Sequence, residues 1–313
     1  MRVIWKLKTG ENKKQKLTIR IYKARYLYIM LLLPFLYYVI FHYIPMYGIT
    51  MAFKDYNPVK GILGSKWVGF KHFIAFFNDP RMPELFKNTL TIGIVSYLFS
   101  GWPNIILALL LNELNNGFFR KTVLTILNIP YYLSLVIVCG IAVNLLSPDG
   151  LVNILIERLG MERIFFIARP EWFIFIYITT GLWQSTGFGA LIYLAILSSV
   201  SPELYDSASI EGAGRFQKMW YVSIPHVIPM FALSLILNIG SILGPSFEKI
   251  LLLYTPSTYE VADVLSTYIY RRGLNGGEFS YGSAIGFFNS VLSLILILST
   301  NFIVKRINKD FGI

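Results

Sequence analysis

Cysteine and charge are the two things this chain has least of. Cys139 is the single cysteine among 313 residues, which excludes an intrachain disulfide and a cysteine-based metal cluster. Within YYLSLVIVCGIAV it reads as a small buried apolar residue. Charged residues make up 14% of the chain and hydrophobic ones 55%, whereas a soluble globule needs about a quarter charged to cover its surface. The three histidines, His42, His72 and His226, fall in separate stretches that nothing in the sequence groups into one site. No HExxH, GxSxG or GxxxxGK[ST] pattern is present. Zinc-protease, hydrolase and phosphate-loop chemistry therefore lack a basis, and any ATP-driven work needs a nucleotide site on another chain. No apolar run has a central acid or base, since Glu113 and Glu248 lie near run ends. That argues against a proton-coupled carrier built on a midplane carboxylate, although Asn104, Gln184, Asn238 and Asn289 remain as polar residues.

What the chain has instead is long apolar runs. Six approach the roughly 20 residues needed to cross a hydrocarbon core: 26–47, 89–111, 122–146, 172–197, 225–243 and 284–304. The fifth is the shortest and contains Pro229. A lone span must satisfy its own backbone hydrogen bonds, so an all-α, polytopic membrane protein with six transmembrane helices is expected. Trp102 and Pro103 are expected to shape the second helix. The first run continues for a full span without a small-residue cleavage site, which reads as a retained span and not a signal peptide. The 24 Phe and 20 Tyr suit a chain that meets the bilayer interface at many places.

The basic residues set an expected orientation. With the N-terminus inside, segments 1–25, 112–121, 198–224 and 305–313 carry 16 basic and 6 acidic residues, and the outer segments carry 12 and 11. This is the positive-inside pattern, with both termini cytoplasmic in a multi-pass protein of the cell membrane. The net charge of +11 is then a topology signal beside anionic lipid, and no nucleic-acid partner is expected. The expected organisation is a basic segment over 1–25, a first span over 26–47 and an outer loop over 48–88. A core over 89–304 and a tail over 305–313 follow, with a polar segment at 201–225 interrupting the core.

Two outer stretches have structure of their own. Phe70, Phe73, Ile74 and Phe77 recur at helical spacing and predict a short amphipathic helix at the outer interface, packed against the spans. Residues 261–271 read as a helix ended by Gly273 and Asn275-Gly276-Gly277. Arg271 and Arg272 suit either docking of an external protein or attraction of an acidic sugar.

The interruption reads LYDSASIEGAGRFQKMWYVSIP, from Leu204 to Pro225, and lies on the expected cytoplasmic side. Ser201-Pro202-Glu203 is a helix start: serine can cap, proline suits the first turn and glutamate favours the positive end of the helix dipole. Small residues follow, Gly212 permits a sharp turn, and Phe216, Met219 and Trp220 begin a second amphipathic stretch that Pro225 ends or restarts. Physics alone allows two readings: a helix–turn–helix platform that sits in a partner's groove, or a loop resting on the membrane.

The stretch PELYDSASIEGAGRFQKMWYVSIPHVIP resembles the EAA loop of permease subunits in type I ATP-binding-cassette importers. That family's pattern is Glu-Ala-Ala, three residues, Gly, nine residues, then Ile-x-Leu-Pro. Here Asp206-Ser207-Ala208, Gly212 and Val222-Ser223-Ile224-Pro225 stand at the same spacing, with a shorter carboxylate at Asp206. PMYGITMAFKDYNPVKGILGSKWVGFKHFIAFF, from Pro45, and GLWQSTGFGALIYLAILSSVSPELYDSA, from Gly181, resemble the polysaccharide or oligosaccharide subfamily, the first permease of maltose-type importers.

The resemblance implies the type I importer permease (MetI-like) fold and no enzymatic activity of this chain's own. It implies a second homologous permease, two ATP-binding-cassette ATPases that hold the ATP and Mg2+, and an external solute-binding protein or lipoprotein delivering an oligosaccharide. Glu203, Asp206, Ser207, Ala208, Gly212, Arg215 and Gln217 would couple to an ATPase. Placement makes Trp183, Gln184, Tyr193, Asn238 and Asn289 the candidate sugar path, with helix packing the competing role for each. The alternatives are an importer of another solute, a non-transporting scaffold or sensor, and an integral-membrane transferase. Family analogy leans toward acidic or plant-derived oligosaccharides.

Overall fold

The structure is a computed structural model that describes residues 19, 22–114 and 117–307. Nearly all of the basic segment expected over 1–25, and the tail from 308 onward, lie outside the described residues. The chain forms two compact units, Met1–Met51 and Ala52–Ile313.

In the first unit, α1 (Arg25–Tyr38) continues into a π-helical turn, Val39–Tyr43, and then a 3-10 segment that begins at Ile44. The stretch Arg25–Phe53 is apolar and long enough to cross a membrane, with none of its most apolar window buried. Such a helix satisfies its own backbone and needs lipid rather than protein around it.

The second unit opens with a two-stranded ribbon that pairs Lys54 with Trp67 and Asp55 with Lys66. The helices α2 (Lys71–Phe77), α3 (Met82–Phe99), α4 (Trp102–Asn112), α5 (Phe118–Tyr132), α6 (Leu135–Leu146) and α7 (Leu151–Arg158) follow. Next come α8 (Pro170–Ser198), α9 (Pro202–Ile210), α10 (Ile224–Asn238), α11 (Phe247–Leu253) and α12 (Phe279–Ile307). Five helical stretches of the described chain are apolar and long enough to span, or six if α8 and α9, bent by 71° at their junction, count as one.

Several expected helices are interrupted. The second run breaks at Ser100–Gly101, where Trp102 and Pro103 start a new helix and the Trp102 ring packs 4.7 Å from Phe231. The third breaks at Leu133–Ser134, both extended, and the Ser134 side chain caps α6. The fifth span begins earlier than expected: helix runs unbroken from Arg215 to Leu243. Pro225 does not end it, because the π turn Met219–Ser223 just before it widens the backbone where the ring would meet a carbonyl. Pro45 follows the π turn of the first unit in the same way.

At 259–275, two short helices, Tyr259–Ala262 and Leu265–Tyr268, and a π segment, Ile269–Asn275, replace the single expected helix. The break falls at Asp263, fully buried and turned out to meet Arg81 and Arg271. Gly273 does not end this helix. It lies against Gly282, whose Cα would be 3.0 Å from any added Cβ. In α2 the buried rings are Phe73 and Phe76, while Phe70, Ile74 and Phe77 are exposed. The helix therefore packs on α12, Phe73 and Phe76 against Phe287 and Phe288, with the part-exposed Phe77 ring also against Phe288 and Phe70 against Phe53.

Two clusters make the core. Ile92, Cys139, Phe173, Tyr177 and Ile250 form one; Ile105, Leu109, Tyr193, Leu197 and Phe231 form the other. Both use α8, so this long helix is gripped near its two ends. Between the grips one face of it, Gly181, Gln184, Ser185 and Gly189, is small or polar. A bundle packed above and below such a stretch leaves space beside it.

Candidate coupling segment and central cavities

Beyond the second cluster, α9 leaves α8 at its bend. Ser201 holds the cap position without a side-chain cap bond, Pro202 fills the first turn and Glu203 lies at the dipole's positive end. The helix closes with Gly212 at φ +81°. There Gly212 N–H donates to Ser209 O (3.1 Å) and Ala213 N–H to Ala208 O (2.9 Å), the paired bonds of a Schellman turn that requires a left-handed residue. Gly214 N–H then donates to Gln217 Oε1 at 2.8 Å and starts the next helix. Tyr205 OH and the buried Ser223 Oγ, 3.0 Å apart, clamp α9 to that helix. Glu203, Asp206, Ser207, Gly212, Arg215 and Gln217 are exposed and Ala208 is half-buried. Among the described residues Asp206 has no hydrogen bond or ion pair. The segment is a rigid, internally satisfied knob that presents unpaired charge.

Both flanking helices run from this knob to a cavity of about 500 Å3. The α8 side contributes Gly189 and Tyr193, the α10 side Ser234 and Asn238, and Tyr97 and Asn104 close it. Tyr193 OH and Ser234 Oγ lie 3.4 Å apart. The Oδ1 of Asn104 and the Oγ of Ser96 are buried without a protein partner, an expense that a dry packing site avoids. The 3-10 turn Ile239–Leu243 shapes one wall, where the Ile242 carbonyl approaches so closely that a Cβ at Gly93 would be 1.8 Å from it.

A second cavity of about 450 Å3 shares Ser96, Ser100, Tyr177 and Ser246 with the first. Gln184 lines it, its Nε2 donating to Leu133 O at 3.3 Å. Of the other sequence candidates, Tyr193 and Asn238 line the first cavity. Trp183 is exposed and lines neither, and Asn289 is engaged with Leu243 O at 3.0 Å.

Lys249, at the start of α11, is the residue that sequence reasoning missed. It is 6% exposed, and its ammonium lies 4.3 Å from the centre of the Tyr177 ring. Among the described residues its ammonium has no hydrogen bond and no ion pair. Burial pushes its pKa down to about 8, with the nearby Cys139 thiol opposing the fall. A ring face supplies about 2 kcal/mol to a desolvated cation, against a burial penalty of several kcal/mol. The one available signal was a lone lysine before an apolar run, FEKILLLY.

At the opposite end, ion pairs consume the charges that looked available. Asp263 takes Arg81 at 3.1 Å and Arg271; Arg272 takes Glu278 at 2.7 Å and Asp79 at 3.3 Å. Asp79 also accepts from Tyr268 and Tyr281. Burial alone would raise its pKa, but the bond from Tyr268, the Arg81 N–H, the bond from Tyr281 and the Arg272 charge hold it below the ordinary carboxylate range. Arg271 and Arg272 thus lock this end together.

Comparison with known proteins agrees with this layout. Residues 104–312 match the family described as binding-protein-dependent transport system inner membrane component. The polygalacturonan/rhamnogalacturonan transport system permease protein YteP of Bacillus subtilis (strain 168) is 40% identical over 96% of this chain and 94% of its own. Protein LplB of the same organism is 38% identical, covering 92% and 91%. Among solved structures, a bacterial ABC transporter involved in the import of the acidic polysaccharide alginate contains a chain 41% identical, with a TM-score of 0.85 over 94% of this chain and 99% of that one. The alginate transporter in complex with its alginate pentasaccharide-bound periplasmic protein matches at 41% identity and TM-score 0.84, over 93% of this chain and 97% of that one. With the family matched over most of the chain and the all-α bundle shared from end to end, this protein belongs to the inner-membrane components of binding-protein-dependent transport systems, as a multi-pass permease subunit of an ABC importer.

Proposed function

We propose that this permease imports oligosaccharides, acidic polysaccharide fragments among them, through the two adjoining cavities, driven from the coupling segment 201–225 that contains the knob. It works with a second homologous permease, with two ATPases that hold ATP and Mg2+, and with an external solute-binding protein. The knob and both chain termini lie on the cytoplasmic side, as the basic residues require. Glu203, Asp206, Ser207, Ala208, Gly212, Arg215 and Gln217 meet an ATPase. The shorter Asp206 carboxylate reaches a basic partner, with Glu203 and Glu211 beside it.

The observation that carries this reading is continuity. The knob joins α8 directly on one side and the unbroken helix to Leu243 on the other, and both helices line the first cavity. Movement imposed by closing ATPases therefore reaches Ser234 and Asn238 along one helix and Tyr193 through the bend between α9 and α8, switching access between the two faces of the membrane. Tyrosine faces and serine and asparagine side chains are the groups that hold sugars.

Gly212 tests the reading. Valine cannot hold φ +81° without strain, whereas asparagine tolerates that region. Gly212→Val is expected to insert normally, to retain ATP turnover and to lose at least tenfold in oligosaccharide uptake; Gly212→Asn is expected to transport. Normal uptake by Gly212→Val at normal expression would overturn the assignment.

A further inference from the structure

We infer that the Lys249 ammonium is a binding site for a carboxylate of an acidic sugar, in the second cavity beside the Tyr177 ring that both cavities share. The inference rests on the oligosaccharide reading and deepens it to one residue and one charge. Lys249 is buried, faces the second cavity and has no anion among the described residues. Its neighbour Glu248 is exposed and is not paired with it. The ammonium touches the Tyr177 face at 4.3 Å, which leaves its N–H groups free to donate.

The surroundings suit a carboxylate attached to a sugar ring. Gly181 makes room for the ammonium, since a Cβ there would lie 2.5 Å from Nζ. Ser96 Oγ is buried on the shared wall without a partner, and Gln184, Ser185 and Ser246 line the same cavity. A lysine paired with a carboxylate of its own chain could not do this work, and an apolar residue would suit a purely neutral passenger better. The first cavity, with its tyrosines and amides, adjoins this one through Ser96, Ser100, Tyr177 and Ser246 and suits neutral ring faces and hydroxyls.

The test uses the assembled importer in nanodiscs: this chain, its second permease and the ATPases. Equilibrium binding of tri-galacturonate and of its carboxyl-reduced, neutral counterpart is measured for wild type, Lys249→Met and Lys249→Arg. Lys249→Met is expected to bind the acidic trimer at least tenfold more weakly and the neutral trimer unchanged, while Lys249→Arg stays within threefold of wild type. The thermal midpoint of Lys249→Met is expected at or above that of wild type, because an unpaired buried charge has been removed. Unchanged binding of the acidic trimer, an equal fall for both trimers, a lower midpoint or loss of the second permease from the complex would each overturn the assignment. A wild-type complex that binds neither trimer would overturn the oligosaccharide reading itself, and this site with it.

Discussion

Asp79 gathers Tyr268, Tyr281 and Arg272 from segments nearly 200 residues away along the chain. Its pKa is lowered on folding, so it contributes stability that is complete above the unfolded value of 3.8 and is lost as pH falls through the lower folded value. Amide exchange over 265–281, relative to the intrinsic rate at each pH, is therefore expected to quicken as pH falls below 3.8. Asp79→Asn should flatten that dependence and cost about 2 kcal/mol at neutral pH. This network was not legible in the sequence, which showed Arg271 and Arg272 as two free charges. Lys249 escaped for the mirror-image reason: hydropathy places it in a loop, and only the packing of α11 on α8 buries it. The turn at Gly212 was legible because it is local, set by a small-residue helix and the left-handed residue that closes it.

At the scale of elements, the apolar runs predicted the helices well, since length and hydropathy belong to each run alone. The breaks were harder. The Asp263 break depends on Arg81 and Arg271, one of them distant in sequence, and the π turn before Pro225 has no composition signal of its own. That turn carries a prediction. A π turn holds one residue more than the α-helical path it replaces, so deleting Tyr221 would return the backbone toward α geometry. The knob would keep its register with Ser234 and Asn238, but the Pro225 ring would then meet a carbonyl of the preceding turn and kink the helix. Expression and membrane insertion are expected to persist while transport falls by more than tenfold; uptake at the wild-type rate would show that the π turn is not needed to pass the proline.

For the whole molecule, the two ends differ in character. One is tied by ion pairs around Asp79 and Asp263, and the other presents Asp206 unpaired beside a Schellman turn. A protein that must dock a partner at one end and keep its shape at the other divides its charges in this way. Cysteines placed at Ala208 and Glu278 are expected to report opposite sides of the membrane. In intact cells an impermeant maleimide should label position 278 and not 208, and inverted vesicles should reverse the result. Native Cys139, 1% exposed, should stay silent in both. Labelling of position 208 from outside would refute the orientation read from the basic residues.

The unbroken helix from Arg215 to Asn238 has a mechanical consequence. At about 1.5 Å per residue it is a rod about 35 Å long, pinned near its middle by the core around Val227 and Phe231. Tilting such a rod by about 10° about that pin moves its two ends by about 3 Å each in opposite directions, so a push at the knob returns as a movement of similar size beside Asn238. The same geometry works backward. On the proposed function, a rigid passenger wedged against Ser234 and Asn238 would resist the tilt and press on whatever holds the knob.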